Sequence, residues 1–243
     1  MFDDKRNEAL FQPNSEDELL GIMKSFKKDK SPGPNGWTIE FFIHFFDLIK
    51  QDLLRMVEAS RMSGSIHHNT TSTLIALIPK KGVPDSFHDF RLISLFNISS
   101  KIITKIIAKR IKETLASCLS SNQHAFLKGR NILDAVANTQ ECLHSLFSQN
   151  IEAAIMKIDL QKAYDCLDWG FIERLLAKIG LKSNSIQWIM ACIVNVNYAV
   201  IINGIPSHFF SSRERLVSGL PPLTTSVHFG HEFHERPHQQ SGC

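Results

Sequence analysis

MKIDLQKAYDCLDW, residues 156–169, closes an apolar run, AAIMKIDL at 153–160, on an aspartate. The run is short and β-favouring, so it reads as a buried strand with Asp159 one place before its end. Aspartate is depleted in strands, and burying an ionised carboxylate without a partner is costly. Two readings of Asp159 fit the residues alone. It lies at the strand's exposed end or caps a turn, or it holds a hard divalent cation, because two-metal phosphoryl transfer needs carboxylates at a strand end. Asp168 can cap the helix that follows, in which Ile172, Leu175, Leu176 and Ile179 make an apolar face and Gly180 the stop.

Upstream, 1–72 reads as helical, with Leu19, Leu20, Met23 and Phe26 on one face and a second run through Phe42, Phe46, Leu53, Leu54 and Val57. SPGPNG at 31–36 interrupts the helices, since two prolines and two glycines forbid a continuous one. TLIALIP at 73–79 reads as a buried strand and runs into a basic turn, Lys80 to Gly82. Residues 99–115 place Ile102, Ile103, Ile106, Ile107, Ile111 and Leu115 at helical spacing, with Lys101, Lys105, Lys109 and Lys112 on other faces. Another helix is expected over 131–147. Asn203-Gly204, between apolar stretches of 199–207, signals a hairpin.

At 43% hydrophobic and 21% charged, the 243 residues have ordinary globular composition, enough for a real core. No apolar run is long enough to span a bilayer and the N-terminus lacks the order of a secretory signal, so the expected location is intracellular, nucleus or cytoplasm, with no membrane partner. The five cysteines lack C-x-x-C spacing, which argues for reduced thiols over a disulfide framework or structural zinc. Net charge is only +3, yet residues 73–130 carry ten basic side chains against three acidic and the rest of the chain sums to −4. That asymmetry suits a phosphate-binding face; a solvated helix face is the plainer account.

In this setting MKIDLQKAYDCLDW resembles the first catalytic motif of reverse transcriptases of LINE-type, non-LTR retrotransposons. KSPGPNGW at 30–37 looks like that family's KAPGPDG loop. LIALIPKKG at 74–82, DFRLISL at 89–95 and SSKIITKIIAKRI at 99–111 resemble its fingers. NQHAFLKGRNILD at 122–134 and NYAVIING from Asn197 follow in the family's order. Six segments in order are far more specific than any one of them.

The resemblance implies an α+β fold, a right hand's fingers plus the first part of a palm, incomplete. It makes Asp159 the first carboxylate for Mg2+, with the carbonyl of Leu160 helping to hold an ion. Tyr164 matches the bulky residue under the incoming sugar that rejects a 2′-hydroxyl, although a core aromatic fits as well. Lys80 or Lys81 and Arg91 resemble the residues that clamp the triphosphate, a task suited to an ammonium beside a guanidinium fork. Lys128 and Arg130 match positions that touch the template backbone, against a solvated surface role. Implied partners are an RNA template, a DNA primer and deoxynucleoside triphosphates; no protein partner is inferable. Asp165 and Asp168 read as structural, and Leu92 and Asn35 replace the family's proline and aspartate mildly.

The departure after Arg213 is larger. The family continues with a glycine-glutamine-glycine-proline motif and a tyrosine-x-aspartate-aspartate hairpin, and neither follows here. Instead 214–243 crowds His228, His231, His234 and His238 into a spacing superficially suited to zinc. Permitted codons for 214–231, read one nucleotide later, give RGLSQGCPLSPPLFILA, which contains the missing glutamine-glycine motif. The expectation is a truncated chain in three parts: a helical fingers extension (1–72), a partial reverse transcriptase domain (73–213) and a disordered, out-of-frame tail (214–243). Its function by descent is RNA-directed DNA polymerisation, inactive in this sequence. The alternatives are a residual basic nucleic-acid-binding protein or an unstable pseudogene product.

Overall fold

Helix α6 (Ile98–Leu115) is the axis around which the core is built. The fold comes from a computed structural model that describes residues 2–115, 123–124, 130–154, 156, 158, 167–194 and 196–211. Ile102, Ile103, Ile106 and Ile107 are fully buried, because the i, i+1, i+4, i+5 spacing stacks them as one broad stripe. Against that stripe pack α1 (Asp4–Leu10), α2 (Glu16–Lys24) and α9 (Ser183–Val194). Arg110 leaves the same helix almost wholly buried and meets Glu18 of α2 at 2.6 Å, with further bonds to the Gln12 carbonyl and the Asn14 side chain. A guanidinium there needs every donor met, and the turn joining α1 to α2 supplies the acceptors.

The segment 31–36 is a loop, as its prolines require, followed by α3 (Ile39–His44) and α4 (Phe46–Ser63). Gly64, at φ +61, ends α4 in the left-handed conformation that glycine adopts at least cost. Trp188 of α9 is fully buried and its indole N–H donates to Ser60 of α4 at 3.1 Å. Asn7 ties α1 to the turn between α8 (Trp169–Lys178) and α9, donating to the Gly180 carbonyl and accepting from the Lys182 amide. A short helix α5 (His68–Thr71) leads into the sheet.

The sheet order is β2-β1-β3-β4, with β5 also on β3. β1 (Thr73–Pro79) and β2 (Phe90–Phe96) form an antiparallel hairpin, Thr73 opposite Phe96 and Pro79 opposite Phe90. β3 (Asn197–Ile202) lies parallel to β1, Thr73 opposite Tyr198. β4 (Ile205–Pro206) folds back through Asn203 and Gly204, at φ +50 and +81, as a two-residue turn with both central φ positive demands. β5 is Phe210–Ser211. Helices and sheet mix in one chain, an α+β fold.

The expected elements over 73–79, 99–115, 131–147 and 199–207 all form. Asp168 caps α8 by accepting from the Phe171 amide at 2.8 Å, and Gly180 follows the helix at φ +94. The strand expected over 153–160 is not seen in its described residues: Ala153, Ala154, Met156 and Ile158 lie outside any strand and are exposed, Met156 at 82%. No surface is laid against them there, and an apolar run without one has nothing to hold it extended. Helix α7 (Ile132–Ser148) is expected but not packed, since none of its residues is buried and Ile132, Leu133, Val136 and Phe147 are exposed.

Candidate functional site

The tip of the β1–β2 hairpin, 80–89, holds two of the basic residues singled out above, Lys80 and Lys81, and Arg91 follows at the start of β2. Ser86 and Asp89 bracket one turn of 3-10 helix, Phe87–Asp89, in a reciprocal capping box. The Asp89 carboxylate accepts from the amides of Asp85 and Ser86, each at 3.0 Å, and from the Ser86 hydroxyl. The bond from the Asp85 amide, with those from Ser86 and the Lys81 ammonium, holds this carboxyl below the usual range against its partial burial. Asp89 organises the loop, a role the sequence reading did not give it; the S-x-x-D spacing of Ser86 and Asp89 was the signal.

The lysines are docked on this frame. Lys80 extends the ladder by one rung, its amide donating to the Asp89 carbonyl at 2.7 Å, and its ammonium reaches the His88 carbonyl at 2.8 Å. Lys81 lies 2.8 Å from Asp85 and 3.2 Å from Asp89. Arg91 stands opposite Ile78 on an exposed rung and has no hydrogen-bond or ion-pair partner among the described residues. By strand alternation it shares the face of Ile78, two residues before Lys80. The tip is therefore a cationic edge with a free guanidinium fork and two ammonium groups, held by the His88 carbonyl, the exposed Asp85 and the partly buried Asp89.

The hairpin's other end is fixed to the proline-glycine loop. Asn97, buried just past β2, accepts from the Asn35 amide at 3.1 Å and donates to the Asn69 carbonyl at 2.9 Å. Gly33 lies so close that a Cβ there would overlap the backbone of Phe96 and Asn97. The Asn35 side chain accepts from the Trp37 amide at 3.2 Å, a task an aspartate oxygen performs equally well. Leu92 pairs with Leu77 within the ladder.

Of the remaining site residues, Arg130 is described and donates to the Gln123 carbonyl at 2.7 Å. Asp159, Leu160, Tyr164 and Lys128 lie outside the described residues, as do Asp165 and the segment 212–243. The structure thus places Lys80 and Lys81 at the hairpin tip and Arg91 on the rung opposite Ile78, and the carboxylate half of the expected site lies outside the described residues. Among the described residues no group of three or more His, Cys, Asp or Glu side chains could hold a metal ion, and no helix is long and apolar enough to cross a membrane. Cys192, fully buried, has its thiol pushed up to about 12 by desolvation; this is an inert thiol.

Comparison with known proteins matches residues 78–222 to the family described as reverse transcriptase (RNA-dependent DNA polymerase). The chain is 28% identical over 203 residues to the transposon TX1 uncharacterized 149 kDa protein of Xenopus laevis, covering 81% of this chain and 16% of that one. It is 21% identical over 180 residues to the retrovirus-related Pol polyprotein from type-1 retrotransposable element R2 of Popillia japonica, covering 74% of this chain and 24% of that one. The chain spans a quarter or less of these relatives. The family match runs past Arg213 to residue 222.

Proposed function

The chain belongs to the reverse transcriptase (RNA-dependent DNA polymerase) family, and from that premise we propose that it is the nucleotide-gripping portion of an RNA-directed DNA polymerase domain of a non-LTR retrotransposon. Its substrates are deoxynucleoside triphosphates, added to a DNA primer on an RNA template inside the cell. The observation that supports this best is the hairpin tip. Arg91 offers an uncommitted fork for bidentate contact with phosphate oxygens, and Lys80 and Lys81 sit on exchangeable partners beside it. A triphosphate can displace the His88 carbonyl and the Asp85 carboxylate without disturbing the core, because both residues are exposed.

Tyr164 excludes the 2′-hydroxyl, and Lys128 and Arg130 hold the template backbone; these roles follow the family's motifs. Asp159 and the Leu160 carbonyl are hard oxygen donors, the right kind for magnesium, which when bound neutralises triphosphate charge and activates the attacking hydroxyl. One carboxylate is too few to hold the two divalent ions of in-line phosphoryl transfer, and the family's tyrosine-x-aspartate-aspartate motif is not in the sequence. We therefore read this sequence as inactive, with the coding frame shifted near Arg213. The fingers extension (1–72) and the fingers and early palm (73–213) are assigned on the same footing.

Two measurements test the proposal separately. Titration with dTTP in the presence of magnesium should saturate and weaken at least tenfold in Arg91→Ala; equal affinity would remove the hairpin from the nucleotide site. Primer extension on an RNA template should fail with the 243-residue chain, and robust magnesium-dependent synthesis would overturn the inactivity. Nucleotide sequence across codon 213 decides the frame, because a +1 frame lacking the glutamine-glycine motif removes that explanation. A second reading, a nucleic-acid-binding protein without catalysis, is favoured by the +7 charge of residues 73–130 alone.

A further inference from the structure

Below the base of the β1–β2 hairpin, a cavity of about 440 Å³ opens between the end of α2, the start of α3 and the first turns of α6. Phe26, Ile39 and Ile98 give it an apolar lining, to which four lysines, Lys27, Lys30, Lys101 and Lys105, also contribute. Lys105 is accounted for, donating to the Ser25 carbonyl at 3.0 Å and lying 3.9 Å above the Phe26 ring. Lys27, Lys30 and Lys101 have no hydrogen-bond or ion-pair partner among the described residues. The acids nearest in sequence to the rim are Asp29 and Glu40. Glu40 accepts from the Asp29 amide at 2.7 Å, so its carboxylate serves the loop.

Lys101 is the telling group. It is half-buried against apolar side chains, and that burial holds its ammonium below the usual lysine range with nothing opposing it. It also sits in the first turn of an eighteen-residue helix, the end where the backbone dipole disfavours a cation. Each of these costs is relieved by an anion in the cavity. Several amines around one apolar floor match a group carrying more than one negative charge on an apolar body, rather than a single carboxylate.

We propose that this cavity binds a nucleoside phosphate, with the phosphoryl group among Lys27, Lys30 and Lys101 and the base or sugar against Phe26, Ile39 and Ile98. The source is either a free nucleotide or one unit of a single-stranded nucleic acid, which share this chemistry. The site is separate from the hairpin tip. The seven-residue strands β1 and β2 put the two roughly 20 Å apart at about 3.3 Å per residue.

Calorimetric titration of the full chain with adenosine 5′-monophosphate, adenosine and inorganic phosphate tests it. AMP should bind saturably and at least tenfold more tightly than either fragment. Lys101→Met, which keeps the aliphatic stem, and the rim pair Lys27→Glu with Lys30→Glu, too exposed to affect folding, should each weaken AMP at least tenfold without lowering the melting temperature. Arg91→Ala should leave AMP binding unchanged, which separates this site from the proposed triphosphate clamp. A short 5′-hydroxyl oligouridylate that displaces AMP identifies a nucleic acid chain as the source, and failure to displace it identifies the free nucleotide. No saturable AMP binding, phosphate binding as tightly as AMP, or AMP binding unchanged in both the Lys101 and rim variants would each overturn the proposal.

Discussion

Glu58 sits among donors that fix its charge. Its carboxylate accepts from the Asn14 amide at 2.7 Å, from the Asn14 side chain, and from Nε and Nη2 of the nearly buried Arg61 guanidinium. Burial pushes its pKa up, and the bonds from Arg61 and Asn14 more than offset this, leaving it below the ordinary 4.5. A carboxylate lowered on folding stabilises the folded chain above its unfolded pKa, and that contribution is lost as pH falls through the folded value. Thermal melts from pH 7 down to 3 should therefore show a fall beginning near 4.5, less steep in Glu58→Gln, which should cost about 1–3 kcal/mol at neutral pH. Identical acid slopes in the two proteins would rule out this assignment. Trp188→Ala, which empties a fully buried site and removes the bond that the indole donates to Ser60, should cost about 3–5 kcal/mol in denaturant unfolding; a loss under 1 kcal/mol would contradict the packing.

Among the elements, the hairpin tip depends on Asp89. Removing its carboxylate in Asp89→Ala leaves the amides of Asp85 and Ser86 without an acceptor, so their hydrogen exchange should quicken by about tenfold, as the loss of roughly 1–1.5 kcal/mol implies. Unchanged protection would mean the loop is held otherwise. Elements with a local signature could be read from the residues: the apolar run of β1, the isoleucine stripe of α6, the Asp168 cap and Gly180 stop of α8, and the Asn-Gly turn. Helix α9 could not, because Ile186, Trp188, Ile189, Ala191, Cys192 and Ile193 are all buried and an all-round apolar helix leaves no amphipathic period. The run 153–160 carries equally little periodicity and invited a strand that its described residues do not form. Lys80, Lys81 and Arg91 are named through the family resemblance, whereas Asp89's organising role has only the S-x-x-D spacing with Ser86 as its signal.

Across the molecule, the uneven charge governs how the chain meets nucleic acid. If residues 73–130 form a phosphate-binding face, affinity for single-stranded RNA should fall linearly with the logarithm of salt concentration. The slope should be steeper than about −2, as three or more phosphate contacts give. Arg91→Ala should flatten it, and a salt-insensitive affinity would exclude this face. The sheet imposes a different condition, on synthesis. β1 finds its antiparallel neighbour within a few residues, but its parallel neighbour β3 lies about 125 positions further on. At roughly 5–20 residues per second, a ribosome takes about 6 to 25 s to deliver it. For that interval the nascent hairpin lacks its parallel neighbour, and the edge of β1 at Ile75 and Ala76 is uncovered and able to recruit a stranger's strand. Codon usage and stalling between Pro79 and Asn197 thus become determinants of how much of this polypeptide is recovered in usable form.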